Sequence, residues 1–460
     1  MRQKLLLFLI ILFAFIFYKE TLYYFLISDD FYFISFKNIA EALLPKANFY
    51  HYNPVFWTLM FIVKSLFGAN PFVFHFLTIA LHISNIIVFY YFGKLLLKST
   101  KSGLLAALIF SIFFPNYETV YWITGLNTSL MVFFYLLGLL VFISLNNPTR
   151  LLRYSTFLLF FTLALLSHEY AISLPIVCFV YWLLFNRKKI KIFDGIKIFA
   201  PPVIIIILLT AIKLMYVSKN LVVVKPSILR FIQSFIKSFT YLLLPSPPTL
   251  DSLPKILLIG LFILLIIFVL LKSLKSKIRL FLLSWLIITI IIFSLTSLPQ
   301  ARYFYLSSIP ALLLITSIIK DDKLKWKFVY LLFIVVSGII FLQQQKIYWR
   351  ETSLITKRTL ADIKSNYPTP ISGQTIYFIN LPDSINGPPW NAYLFRNGLD
   401  NALELYYGKK VEEIKYYRSI PPSKAIRDDP YISPDKLEQL IKKNELIFIY
   451  KEKEGTVEKL

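Results

Sequence analysis

From the N-terminus to about residue 343 the chain repeats one pattern, apolar runs separated by short polar connections, and beyond that point the pattern stops. Runs of about 20 apolar residues are long enough to cross the hydrocarbon of a bilayer as helices. In lipid every backbone polar group has to be satisfied within the segment, so a chain written this way folds as a helical bundle in a membrane. Only 16% of the residues are charged and 57% are hydrophobic, against about 25% charged in a soluble domain. The expected architecture is an α-helical polytopic membrane protein with about eleven transmembrane helices in residues 1–345, followed by a small soluble α/β domain in residues 346–460. The single cysteine, Cys178, lies inside an apolar run, so no intrachain disulfide forms and the cysteine reads as core.

Charge gives the orientation. Residues 1–345 carry 31 Lys and Arg against 10 Asp and Glu, whereas residues 346–460 carry 18 against 15. The excess therefore belongs to the membrane body. Much of it sits in alternate short loops: Lys98 and Lys101, Arg150 and Arg153, Arg187 to Lys191, Lys272 to Arg279, and Lys320 to Lys327. The positive-inside rule puts those loops in the cytoplasm, which excludes a nucleic-acid footprint. The basic start Met1–Lys4 leads into Leu5–Tyr18 and on through Leu22–Ile27 with no small-x-small cleavage site, an uncleaved first span with a cytoplasmic N-terminus. The C-terminal domain is then extracytoplasmic, and the expected location is the cell membrane. Between spans one and two, the stretch Pro54–Phe67, interrupted by Lys64, suits a helix lying in the interface.

With that orientation, the scarce polar residues of the outer face come from four connections: Asp29 and Asp30, Glu118, His168 and Glu169, and Arg302. A carboxylate at the mouth of a span must sit in water, in a polar cavity or beside a cation. One alone reads equally well as a solvated loop end; four connections on one side point to a shared polar cavity. In span two, His75, Thr78, His82 and Asn85 recur at helical spacing and form one polar face, suited to hydrogen bonds between helices. His75 and His82 are seven residues apart, roughly 10 Å along a helix, too far to hold one metal ion together. His75 lies nearer the outside and is the one assigned to the cavity. In the tail, Thr375–Asn380 and Glu445–Tyr450 read as strands, Pro434–Lys443 reads as a helix, and no glycine-rich phosphate loop occurs. A lid or an acceptor-binding platform suits it.

The order of these pieces resembles the GT-C superfamily of polytopic glycosyltransferases, in particular the protein O-mannosyltransferases and their tetratricopeptide-bearing relatives. The residues that carry the resemblance are Asp29-Asp30; Asn53-Pro54, the stretch Leu66–Pro71, and His75 and His82; Pro115–Glu118 with Val120–Ile123; Ser167–Glu169; and Arg302–Pro310. His168 stands where those relatives often carry Lys, Asn127 stands where an acid is common, and no tetratricopeptide repeats follow.

The resemblance implies a hexosyl-transferring, mannosyltransferase-like enzyme. It would take a sugar from a polyprenyl-phosphate donor in the outer leaflet and pass it with inversion to an acceptor hydroxyl on a glycan, lipid or protein. Asp29 and Asp30 would then be catalytic, with Asp29 favoured as the base. Glu118, His168, Glu169 and His75 would position acceptor or cation. Arg302 would bind the donor phosphate through its planar fork, with Lys213, Lys225 and Arg230 as further candidates. A divalent metal, Mg or Mn, held by Asp30 and Glu118 is an alternative cofactor. The competing class is a transporter or flippase for a lipid-linked or small polar substrate, although such sites lie near the midplane on helices broken by Gly or Pro, and the chain has only 13 Gly. A non-catalytic assembly protein is the third class.

Overall fold

The computed structural model describes residues 2–45, 51–144, 151–185, 192–216, 227–295, 300–321, 326–368, 375–385, 390–408, 411–419, 429–451 and 454–460. Among these, eight helices are long and apolar enough to cross a membrane: Arg2–Tyr23, Pro71–Leu97, Leu126–Ser144, Gly195–Tyr216, Lys255–Ser273, Lys277–Ser294, Ala301–Lys320 and Trp326–Asn366. Three further runs read as spans form the shorter helices Thr100–Ser111, Leu152–Ser167 and Glu169–Phe185, and Pro54–Phe67 is the helix expected at the interface. Lys64 on that helix donates to the Phe36 carbonyl (2.9 Å).

The least and the most apolar of these helices differ sharply in burial. Ala301–Lys320 is the least apolar of the eight, with a mean hydropathy of 1.5, and 89% of its apolar window is buried. Lys255–Ser273, at 3.0, has 17% of its window buried. A helix surrounded by protein can carry Ser, Tyr and Arg, whereas one facing lipid cannot. The polar face of Pro71–Leu97 turns inward as expected. Thr78 donates to the Val120 carbonyl (3.0 Å), His82 Nδ1 meets Tyr305 Oη (2.8 Å), and Asn85 donates to the Ser129 carbonyl (2.8 Å). Cys178 is buried. Helix Thr100–Ser111 crosses Pro71–Leu97 so closely that a Cβ at Gly103 would stand 2.9 Å from the Lys94 amide nitrogen.

The last long helix, Trp326–Asn366, runs unbroken through residue 345, where the sequence divides body from tail. Beyond it β1 (Thr375–Ile379), β2 (Ser384–Ile385), β3 (Ala392–Tyr393), β4 (Glu413–Tyr417), β5 (Leu446–Lys451) and β6 (Thr456–Lys459) follow in order. The main sheet has the order β4-β1-β5-β6, with β1 parallel to β4 and β5 and with β6 antiparallel to β5. The two predicted strands are its centre, β1 and β5. Helix Leu399–Tyr407 precedes β4, and the predicted helix Pro434–Lys442 precedes β5, with Ser433 Oγ accepting from the Lys436 amide (3.3 Å).

The sheet's core does not end at the sheet. Phe378 and Phe448 belong to one apolar cluster with Leu360 of the long helix and with Phe33, Phe56 and Trp57 of the segment between the first two spans. The tail is thereby packed onto the end of the bundle where the polar residues gather.

Candidate active site

The turn after the first span separates its two aspartates. Ser28 adopts a left-handed φ of 46°, and the helix Asp30–Ile34 starts immediately after Asp29. Asp30 folds inward and is fully buried. Its Oδ1 accepts from the Thr124 amide (2.9 Å) and hydroxyl (2.8 Å), and its Oδ2 accepts from the Ile27 amide (3.1 Å). Asp29 is half-buried, and its Oδ1 accepts from Asn397 Nδ2 (2.8 Å).

Burial pushes the Asp29 carboxyl above the ordinary carboxylate range, opposed first by the Asn397 bond and then by the charges of Arg302, Arg396 and His51. Burial pushes Asp30 to about 7 against its three donors, and the neighbouring Asp29 charge adds to the rise. A group whose value is higher folded than unfolded stabilises the fold below its unfolded value, near 4, and loses that contribution as pH rises through the folded value. His168, which burial holds down at about 4, works with the opposite sign, so the informative quantity is a difference. The stability lost in Asp30→Ala, measured by thermal unfolding in detergent, should be largest near pH 4 and shrink steadily up to about pH 7; a pH-independent loss would exclude this coupling.

Glu118, on the short helix Asn116–Tyr121, is 2% exposed. Its Oε2 accepts from the Arg302 amide (2.8 Å) and its Oε1 from Arg302 Nη1. Arg302 is the second residue of the helix Ala301–Asp321, so the carboxylate both caps that helix, where free N–H groups favour an anion, and holds the guanidinium. The guanidinium lies over the rings of Tyr303 (4.8 Å) and Trp122 (5.4 Å), and Nη2 donates to Tyr303 Oη (3.3 Å).

The fourth connection adjoins this pair. His168 caps the turn Glu169–Ile172, its Nδ1 accepting from the Tyr170 amide (3.3 Å), and its ring stands 6.3 Å from that of Tyr303. Glu169 binds His51 through Oε1, and its Oε2 is 3.6 Å from His168 Nδ1. Lys213 is near enough to act on the charges of both His168 and Glu169. Asp29, Asp30, Glu118, His168, Glu169, Arg302 and Lys213 are thus brought to one end of the bundle.

No family model matches the chain, and no curated protein does. Solved structures do, among them two of ArnT from Cupriavidus metallidurans. The apo structure aligns with a TM-score of 0.53 at 12% identity, covering 97% of this chain and 93% of that one. The structure bound to undecaprenyl phosphate aligns with a TM-score of 0.53 at 14% identity over the same shares. The fold is GT-C.

Within this fold His75 and Arg230 lie apart from the cluster. His75 is 1% exposed, its ring edge-to-face with Tyr24 at 6.0 Å, so it is packed between helices rather than open to a cavity. Arg230 is exposed in the first turn of the amphipathic helix Ile228–Leu243, and Lys225 lies outside the described residues. The carboxylates suggested for a divalent metal do not fit one: Asp30 spends both oxygens on protein donors and Glu118 is closed by Arg302. Among the described residues no group of three or more His, Cys, Asp or Glu converges on a metal position.

Three residues of the cluster escaped the sequence: His51, Arg396 and Asn397. His51 is a lone histidine in an irregular stretch. Arg396 and Asn397 stand in the tail between the tiny β3 and a helix, where no periodicity marks them.

Proposed function

We propose that this chain is a membrane glycosyltransferase that moves a sugar from a polyprenyl-phosphate donor to an acceptor hydroxyl on the extracytoplasmic face, with inversion. The observation that carries this reading is the surroundings of Asp29. It is a half-buried carboxylate whose charge feels two guanidinium groups, Arg302 and Arg396, at the bundle end of a fold that in ArnT accommodates undecaprenyl phosphate.

The chemistry needs those two charges together. As the acceptor oxygen bonds to the anomeric carbon, its proton passes to Asp29, and the bond from that carbon to the phosphate oxygen breaks with its electron pair. A carboxyl whose affinity for protons is raised by burial is the better base for a hydroxyl, and fixed cations stabilise the phosphate charge that develops. Arg302 is held rigid by Glu118 and by two rings, while Arg396 is exposed beside Asp29 and completes the clamp. Lys213 and the His51–Glu169 pair adjoin one another, with the His51 charge acting on Asp29, and suit acceptor positioning. The positive-inside reading of the basic short loops supports an extracytoplasmic position for this end of the bundle. The sugar is proposed to be a hexose, mannose first.

Purified protein given polyprenyl-phosphate mannose and other hexosyl donors with an acceptor extract is expected to release polyprenyl phosphate, and the accepted donor is expected to raise its unfolding temperature. Folded protein that neither turns over nor is stabilised by any donor, but is stabilised by a soluble solute, would return the reading to transport.

A further inference from the structure

The tail reaches the Asp29 turn through one segment, Leu394–Gly398, and several independent contacts fix it there. The Ser28 amide donates to the Leu394 carbonyl (2.7 Å). Gly398 has a φ of 80° and lies so close that a Cβ on it would stand 2.4 Å from the Ser28 carbonyl oxygen, an approach open only to glycine. Helix Leu399–Tyr407 starts at that glycine and packs on Asp30–Ile34, and Asn401 Nδ2 donates to Ser35 Oγ (3.2 Å). Between these anchors Asn397 is exposed, yet its amide donates to Asp29 Oδ1 at 2.8 Å. An exposed asparagine with this backbone already pinned is not needed to hold the segment down. Its side chain instead fixes the rotation of a carboxylate.

We propose that the C-terminal domain is a working part of the active site, with Asn397 as a positioning residue that orients the Asp29 carboxylate so that Oδ2 is presented to the acceptor hydroxyl. This rests on the transferase reading. In the transfer, the acceptor O–H bond breaks toward Oδ2 while the new sugar–oxygen bond forms and the polyprenyl phosphate departs with the electron pair. An amide donor on Oδ1 leaves Oδ2, which takes no hydrogen bond among the described residues, as the acceptor atom and removes the rotational freedom that a lone carboxylate would keep.

The groups around Asp29 define the expected pH behaviour. Arg302, Arg396 and His51 favour its ionised form together with Asn397, and Asp30 adjoins it in the chain. From the packed helix, Glu404 is paired with Lys37 and the charge of Asp400 falls on Tyr32. Removing the amide donor therefore weakens the ionised form.

The test uses full-length protein in detergent. In Asn397→Ala, kcat is expected to fall about tenfold at neutral pH with the donor KM unchanged, and the acidic limb of the pH–rate profile is expected to move to higher pH. In the isosteric Asn397→Asp the second carboxylate repels the first, and the loss should be larger. Wild-type kcat and an unmoved acidic limb in Asn397→Ala would overturn the proposal. A cycle of unfolding temperatures for wild type, Asp29→Ala, Asn397→Ala and the double variant is read without any donor. The cost of losing Asn397 should be larger at pH 8 than at pH 4 and vanish when Asp29 is already alanine. Equal costs in both backgrounds would sink the link itself. A wild type inert with every donor but with this coupling intact would instead sink the transferase reading.

Discussion

Asp29→Asn should abolish transfer while leaving the protein folded, and Asp30→Ala should do the reverse. The two carboxylates are neighbours in the chain, yet they meet opposite surroundings. Asp29 gives one oxygen to Asn397, and among the described residues the other takes no hydrogen bond, in a position that costs its charge some solvation. An amide there removes the proton acceptor without leaving a buried donor unpaired, so the unfolding temperature should stay level or rise slightly. A positioned general base contributes roughly 10²–10⁴ in rate, so turnover should fall about a thousandfold or more. Asp30 receives the amides of Ile27 and Thr124 and the Thr124 hydroxyl. Alanine strands all three donors in a buried place, and a stranded donor costs about 1–3 kcal/mol. A loss of about 3 kcal/mol or more at pH 5 is expected, with whatever protein stays folded retaining measurable transfer. Release of polyprenyl phosphate and thermal unfolding, measured on the same preparations, separate the two. Asp29→Asn at wild-type turnover would remove Asp29 as the base.

This division between neighbouring aspartates was not written in the sequence, and the reason is physical. Which of two adjacent carboxylates turns inward depends on where the donors are, and Thr124 lies 94 residues away in the chain. What could be read was the convergence. Asp29, Glu118, His168 and Arg302 each end or begin a helix on the same side by loop charge alone, and the structure joins them through contacts such as that between Glu118 and Arg302. The inward polar face of Pro71–Leu97 was legible for the same reason, because helical periodicity is local. His75 shows the limit of that reading: periodicity placed it on the interior face, but not on which part of that face the cavity opens. The tail's contribution was illegible. The residues 394–398 have neither strand alternation nor helical period, and their meaning comes from a long-range approach to Ser28 that only a left-handed glycine permits. Strands β4 and β6 were missed as well; both lie on the edges of the sheet, where exposed polar residues break the alternation that marks β1 and β5.

The arginine predicted to grip the donor phosphate is also the partner of a buried acid, and that sets the second large effect. Glu118 is 2% exposed, and its two oxygens take the Arg302 amide and guanidinium. Arg302→Ala leaves the amide bond but strands the carboxylate charge, and breaking a buried pair on one side costs about 3–5 kcal/mol. The single variant is therefore expected to lose much of its stability, and its inactivity would say little about phosphate binding. Removing the stranded charge as well supplies the separation. Arg302→Ala combined with Glu118→Gln keeps an acceptor for the Arg302-position amide and no uncompensated charge, so most of the lost stability should return. If Arg302 also receives the leaving phosphate, transfer stays at least about a hundredfold down in the refolded double variant, the scale set by losing one preorganised electrostatic contact at a transition state. The thermal shift given by the donor should fall with it. Recovery of transfer along with stability would instead confine Arg302 to holding Glu118, and would leave Arg396 as the residue to which the phosphate is assigned.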